Sequence, residues 1–231
     1  MPHRQTDAEV RGLVEAVHAR WGHDFRDYAL ASLRRRVLLA CERMGLPGIA
    51  ALQERVLHDE AAFGQLLQHL TVPVSEMFRD PGYFAALRLH VLPVLRTYPS
   101  VKVWVAGCST GEEAYSLAIL LREEDLLQRC ILYATDINPV SLEKARQGVF
   151  PLQAVQGWTR NYQQAGGNSA FSDYYTAGFG NAVLRKDLRD AITFADHSLA
   201  TDAVFAETHL VSCRNVLIYF NRRLQDRALG C

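Results

Sequence analysis

The sequence predicts an α/β protein in which a small all-helical domain precedes a parallel, doubly wound sheet. Three observations carry this. Residues 101–121, VKVWVAGCSTGEEAYSLAILL, read as a β-branched strand, a glycine turn and an apolar helix, the unit with which α/β proteins build ligand sites. Strand and helix patterns alternate from there to the end, which implies parallel strands joined by helical crossovers. Residues 1–70 contain no lysine and no strand pattern, only apolar residues at helical spacing.

In the first domain, residues 1–72, Phe25, Ala29, Leu33, Val37, Cys41 and Met44 fall on one helix face at steps of four and three. Gly45 and Pro47 end that helix. Two further helical stretches run through Ile49, Leu52, Val56 and Leu57, and through Phe63, Leu66, Leu67 and Leu70. Thr71–Ser75 reads as an extended linker because Pro73 biases its neighbour away from helix. Asp80 is the expected N-cap and Pro81 the first residue of a helix aligning Tyr83, Leu87 and Val91.

Residues 73–231 form the second predicted domain. Its strands are Val101–Gly107, Ile131–Thr135 ending at Asp136, Ala191–Ala195 and His209–Cys213. Its helices begin near Glu112, span Ser141–Gln147 up to Gly148, and begin again near Asn221. Residues 151–190 interrupt the rhythm with Trp158, Tyr162, Phe171, Tyr174, Tyr175 and Phe179; they read as an inserted subdomain with short antiparallel strands. Four strands are countable and the chain stops within a helix, so the sheet reads as cut short at its C-terminal side.

The 231 residues carry zero formal net charge and are 49% hydrophobic, which argues against a general nucleic-acid binder. No apolar run approaches the roughly 20 residues of a membrane-spanning helix, and the N-terminus lacks a signal-peptide core. The five scattered cysteines contain no CxxC and read as reduced thiols of a cytoplasmic protein rather than a metal cluster or disulfide framework.

The glycine turn supports two chemistries. Gly107–Gly111 matches GxSxG, the serine nucleophile elbow, with Asp136 and His197 or His209 as triad partners. Alternatively the turn admits a nucleoside cofactor, with Asp136 at the end of the next strand accepting ribose hydroxyls. Glu112 and Glu113 would repel a pyrophosphate but suit a cationic cofactor such as the ammonium of S-adenosylmethionine; ordinary helix-dipole complementarity accounts for them equally well.

Three segments, VWVAGCSTGEEAYSLAIL, YATDINPVSLEKARQGVF and VSCRNVLIYF, occur in that order behind SEMFRD. Together with the helical N-domain they resemble the CheR-type chemotaxis-receptor glutamate O-methyltransferases over essentially the whole chain. The resemblance implies a class I, Rossmann-like methyltransferase fold, here apparently truncated, with a helical N-domain and an inserted β-subdomain. It implies methyl transfer from S-adenosylmethionine to glutamates on chemoreceptor cytoplasmic helices, leaving S-adenosylhomocysteine. On that resemblance Arg79 lies near the cofactor and the reaction centre, and Tyr219 near the transferring methyl. Ser75, Glu113, Asp136, Ser198, Leu199, Arg214 and Asn215 take cofactor-contacting positions. Pro73 stands where an asparagine is common, and Ser198 replaces an asparagine.

A glutamate carboxylate, with a reference pKa of about 4.3, is already an anion at neutral pH. Such a reaction therefore needs no general base, and orientation supplies most of the rate. A helical substrate needs a docking face; with Phe25, Leu33 and Val37 inward, Arg34 and Arg35 are expected to point outward toward acidic receptor helices. A non-catalytic, partner-binding remnant of the same fold, or a methyltransferase acting on another substrate, remain the alternatives to receptor methylation.

Overall fold

The computed structural model describes residues 2–71, 75–202 and 207–230. The middle of the expected extended linker, residues 72–74 with Pro73, lies outside them. The described residues fall into two compact units: a helical unit from residues 2–71, 198–202 and 214–230, and a sheet unit from residues 75–197 and 207–213.

Four helices begin the helical unit: α1 (Pro2–Trp21), α2 (Leu30–Arg43), α3 (Ile49–His58) and α4 (Glu60–Leu70). α1 was not apparent from the sequence, although Val10, Leu13, Val14 and Val17 form its buried stripe. α2 starts at Leu30, not Phe25. Phe25 is nevertheless buried, packed edge-on against Tyr28 at 5.0 Å in the turn before the helix. Trp21 stacks on Phe63 at 4.9 Å and donates to Val56 O at 3.0 Å, which ties α1 to α3 and α4. Asp59 caps α4 by accepting from Ala61 N and Ala62 N.

The C-terminal segment joins this unit by backbone and side-chain bonds. Ala29 N donates to Tyr219 O and Asn221 N to Asp27 O, both at 2.8 Å. The last helix, Arg222–Leu229, begins where expected, and Asn221 Oδ1 caps it by accepting from Leu224 N. Ala200, Phe220 and Leu224 form a small buried cluster with Tyr28 and Leu199 packed on it.

The sheet unit opens with α5 (Pro81–Ala86), a π-helical turn at Leu87–Val91, and α6 (Leu92–Leu95). The sequence predicts one continuous helix here. Pro93 has no N–H for Leu89 O, and the ladder re-spaces just before it. Pro81 does sit in the first helical turn, but Asp80 makes no side-chain capping bond because its backbone is left-handed, at φ 56°.

Then follow β1 (Val101–Ala106), α7 (Glu112–Glu123), β2 (Cys130–Asp136), α8 (Pro139–Gln147), β3 (Val149–Pro151), α9 (Val155–Gln164), β4 (Tyr175–Gly178), β5 (Asn181–Leu184), α10 (Lys186–Asp190), β6 (Ile192–Asp196) and β7 (Leu210–Ser212). The main sheet has the order β6-β2-β1-β7, all parallel, with Val105 beside Ala134 on one side and Ser212 on the other. The second sheet, β3-β5-β4, is antiparallel, as expected for the insertion; α9 within it was not foreseen. The carboxylate of Glu123, at the end of α7, accepts from Tyr174 Oη at 2.8 Å and also from Tyr162 Oη and Arg88. That buried acid fastens the insertion to the core.

Burial of Val101, Val103 and Val105 together with Ala114, Leu117, Ala118 and Leu121 makes β1 and α7 the centre of the sheet unit. Gly111 is required at the head of α7: its φ is 95°, and a Cβ there would lie 2.9 Å from Ala145 Cβ. No helix among the described residues is long and apolar enough to cross a membrane.

Candidate functional site

The glycine turn sits at the C-terminal end of β1, the edge of a parallel sheet where ligands bind. Asp136 ends β2 beside it. Its Oδ2 accepts from Ser109 N at 2.8 Å and its Oδ1 from Asn138 N at 2.9 Å. Burial raises its pKa above the ordinary aspartate range, against the pull of these backbone donors, and nearby Asp196 adds to the rise. The carboxylate therefore holds the turn in shape and retains lone pairs for further donors.

The two glutamates after the turn differ. Glu112 is buried and takes both of its oxygens to Thr110 Oγ1, at 2.8 and 2.7 Å. Its pKa is raised by burial, with bonds from Thr110 and Ser75 acting the other way. Ser75 is thus placed against Glu112. Glu113 is half-buried, and its Oε1 accepts from Ser212 Oγ at 2.6 Å.

Arg79 lies half-buried in the turn after Ser75, behind the fully buried Met77 and Phe78. Phe78 and Asp80 on either side of it are both left-handed, at φ 53° and 56°. Ser109 and Asn215 are also left-handed. Four of the six described non-glycine residues with positive φ thus lie in segments that carry candidate site residues. Strain of this kind persists where function holds it.

The remaining candidates belong to the helical unit. Ser198 and Leu199 follow β6 closely in the chain. Ser198 N donates to Asp202 Oδ2 at 2.8 Å and Ser198 Oγ accepts from Ala200 N, so this serine shapes its own turn. Arg214 and Asn215 follow β7; Arg214 is half-buried and Asn215 exposed. Tyr219 lies under the guanidinium of Arg36, whose Cζ is 4.2 Å from the ring centroid.

Arg36 was passed over in the sequence reading in favour of its neighbours. Arg34 is not turned freely outward: it is half-buried and paired with Asp7 at 2.8 Å. Arg35 is exposed, as expected. Arg36 is 5% exposed and donates to Leu70 O, and its Nε and Nη2 have no hydrogen-bond partner among the described residues. Burial lowers its pKa. The signal was present in the spacing, because Leu33, Arg36, Val37 and Ala40 form one helix face.

The serine-hydrolase arrangement is not assembled. Ser109 Oγ is buried without a hydrogen-bond partner among the described residues. His209 Nδ1 accepts from Lys102 N at the far end of β1, and His197 packs edge-on against Trp104 at 5.3 Å.

The SAM-binding domain of CheR methyltransferases matches residues 73–230, and the all-alpha domain of CheR methyltransferases matches residues 8–71. The chain belongs to the CheR methyltransferase family. It is 61% identical to the protein of Pseudomonas putida named "Putative methyltransferase Cher3", over 98% of this chain and 83% of that one. It is 28% identical to the "Chemotaxis protein methyltransferase" of Listeria monocytogenes, over 90% of this chain and 77% of the relative. The protein of the same name from Salmonella typhimurium is 27% identical over 97% of this chain.

S-adenosylmethionine is accordingly the cofactor of this CheR domain. The groups at the turn fit it: Asp136 can accept hydroxyls, Glu113 can hold a cation, and the orphaned Ser109 Oγ can meet a polar ligand.

Proposed function

We propose that this CheR-family protein methylates glutamate side chains on the cytoplasmic helices of chemoreceptors, forming glutamyl methyl esters. The observation that carries the reading is Arg36, a buried guanidinium held against Tyr219, whose Nε and Nη2 have no hydrogen-bond partner in good geometry among the described residues. A buried cation without an anion is costly, and a substrate carboxylate is the anion that offsets it. The names of the Listeria and Salmonella relatives point to the same substrate class.

The bound cofactor supplies a methyl activated by its sulfonium; a carboxylate oxygen–methyl bond forms as the methyl–sulfur bond breaks. In this reading Asp136 binds the ribose hydroxyls and Glu113 the ammonium. Arg79 and Ser75 would hold the cofactor from the same unit, and the family resemblance gives Ser198, Leu199, Arg214 and Asn215 cofactor-contacting positions as well. Arg36 would offer its guanidinium to the substrate carboxylate, with Tyr219 stacked behind it to fix its plane. These residues would act by orienting the substrate carboxylate toward the cofactor's methyl group, and such orientation would supply most of the rate.

No side chain has to remove a proton from the nucleophile. The rate at saturating substrates should therefore be flat from about pH 6 to pH 8.5, well above the carboxylate's own titration. A pH series with a purified receptor cytoplasmic fragment checks this. A rate rising about tenfold per pH unit through that window would indicate an amine nucleophile and overturn the reading.

A further inference from the structure

Glu113 is not placed by its helix alone. Ser212, the last residue of β7, is 2% exposed, and its Oγ donates to Glu113 Oε1 at 2.6 Å. Tyr83, in the first turn of α5, brings its hydroxyl to 2.8 Å from the same Oγ. Proton counting sets the direction. An ionised carboxylate only accepts, and serine has one hydroxyl proton. Ser212 therefore gives its proton to Glu113, and Tyr83 gives its own to Ser212.

We infer that Tyr83 and Ser212 are positioning residues, a two-step hydroxyl relay that holds the Glu113 carboxylate in the orientation that receives the cofactor's ammonium. The inference rests on Glu113 being the ammonium ligand. The bonds run in series through α5, β7 and α7, from Tyr83 to Ser212 to Glu113, and the β1–β7 register, with Val105 opposite Ser212, seats the serine beside the strand that leads into the turn. A carboxylate fixed beforehand loses less freedom when it binds a cation.

Calorimetry with two probes tests the relay. S-adenosylhomocysteine carries the ammonium; 5′-methylthioadenosine has the same nucleoside and no amino-acid tail. Ser212→Ala should weaken S-adenosylhomocysteine binding about tenfold, the scale of one hydrogen bond to a charged group. Methylthioadenosine binding should stay within about twofold. Tyr83→Phe, which removes only the hydroxyl oxygen and keeps the ring, should give a smaller loss with the same selectivity, and Ser212→Thr, which keeps a hydroxyl, should bind S-adenosylhomocysteine more tightly than Ser212→Ala. Glu113→Gln separates the layers. If it too leaves the ratio of the two affinities unchanged, the ammonium-ligand reading fails and the relay with it. If Glu113→Gln shifts the ratio but Ser212→Ala and Tyr83→Phe do not, the relay alone is overturned. Equal loss of both probes in Ser212→Ala and Tyr83→Phe proteins that keep wild-type unfolding midpoints would also overturn it, because the effect would then not be directed at the ammonium.

Discussion

Replacing Asp136 by Asn should weaken S-adenosylhomocysteine binding by about a hundredfold or more. The carboxylate accepts two backbone N–H groups, from Ser109 and Asn138, through different oxygens. An amide can satisfy only one of them and turns a donor toward the other. It also loses the charge that would bind two ribose hydroxyls, each bond to a charged group being worth about 1.5–3 kcal/mol. The wild-type pH dependence should show the same group. Because burial raises the Asp136 pKa, affinity should start to fall on acidification above the ordinary aspartate value of about 3.9. The sign for stability is opposite. A carboxyl with a raised folded-state pKa stabilises the fold when protonated, and that contribution is lost as pH rises from the unfolded value through the folded one. Acidification through this window should thus lower affinity while this group's share of stability grows. Calorimetry across pH, with denaturant unfolding in parallel, reads both; affinity within threefold of wild type for Asp136→Asn would remove Asp136 from the cofactor site.

Replacing Arg36 by Met should separate stability from activity. The substitution loses a stacking contact with Tyr219 worth about 0.5–2 kcal/mol and a bond from the charged guanidinium to Leu70 O worth about 1.5–3 kcal/mol. It relieves the desolvation of an unpaired buried guanidinium, a change that is often neutral or stabilising. Stability should therefore stay within about 2 kcal/mol of wild type. Transfer to receptor should fall about a hundredfold or more, since two hydrogen bonds to a charged carboxylate disappear. S-adenosylhomocysteine affinity should not change. Full transfer by a folded Arg36→Met protein would refute the role given to this residue.

The legible parts of the fold were those with a strong local cause. The β-branched run before Gly107, the apolar stretch after Glu113, and Asn221 ahead of the last helix each carry their own geometry. α1 was missed because its apolar stripe, Val10 to Val17, is diluted by polar and charged residues around it. The π turn was missed because Pro93 acts on residues before it, against an otherwise even pattern of leucines. At the site, Asp136 and the glycine turn were readable because strand ends and turns have fixed chemistry. The division of labour between Glu112 and Glu113 was not, because it depends on Thr110, Ser75 and Ser212 reaching them through space. The arginine triplet shows the same limit: three identical residues in a row take three environments, exposed, ion-paired and buried, according to a helix phase that is clear only once Leu33 and Val37 are placed.

The central claim is that the methyl group ends on a glutamate oxygen. Peptide mapping by mass spectrometry of a receptor cytoplasmic fragment, after incubation with the protein and S-adenosylmethionine, tests it most directly. The account predicts single methyl groups on glutamate side chains that are lost as methanol after mild alkali. Methylation confined to lysine, arginine or another side chain, or a label that survives alkali, would contradict it.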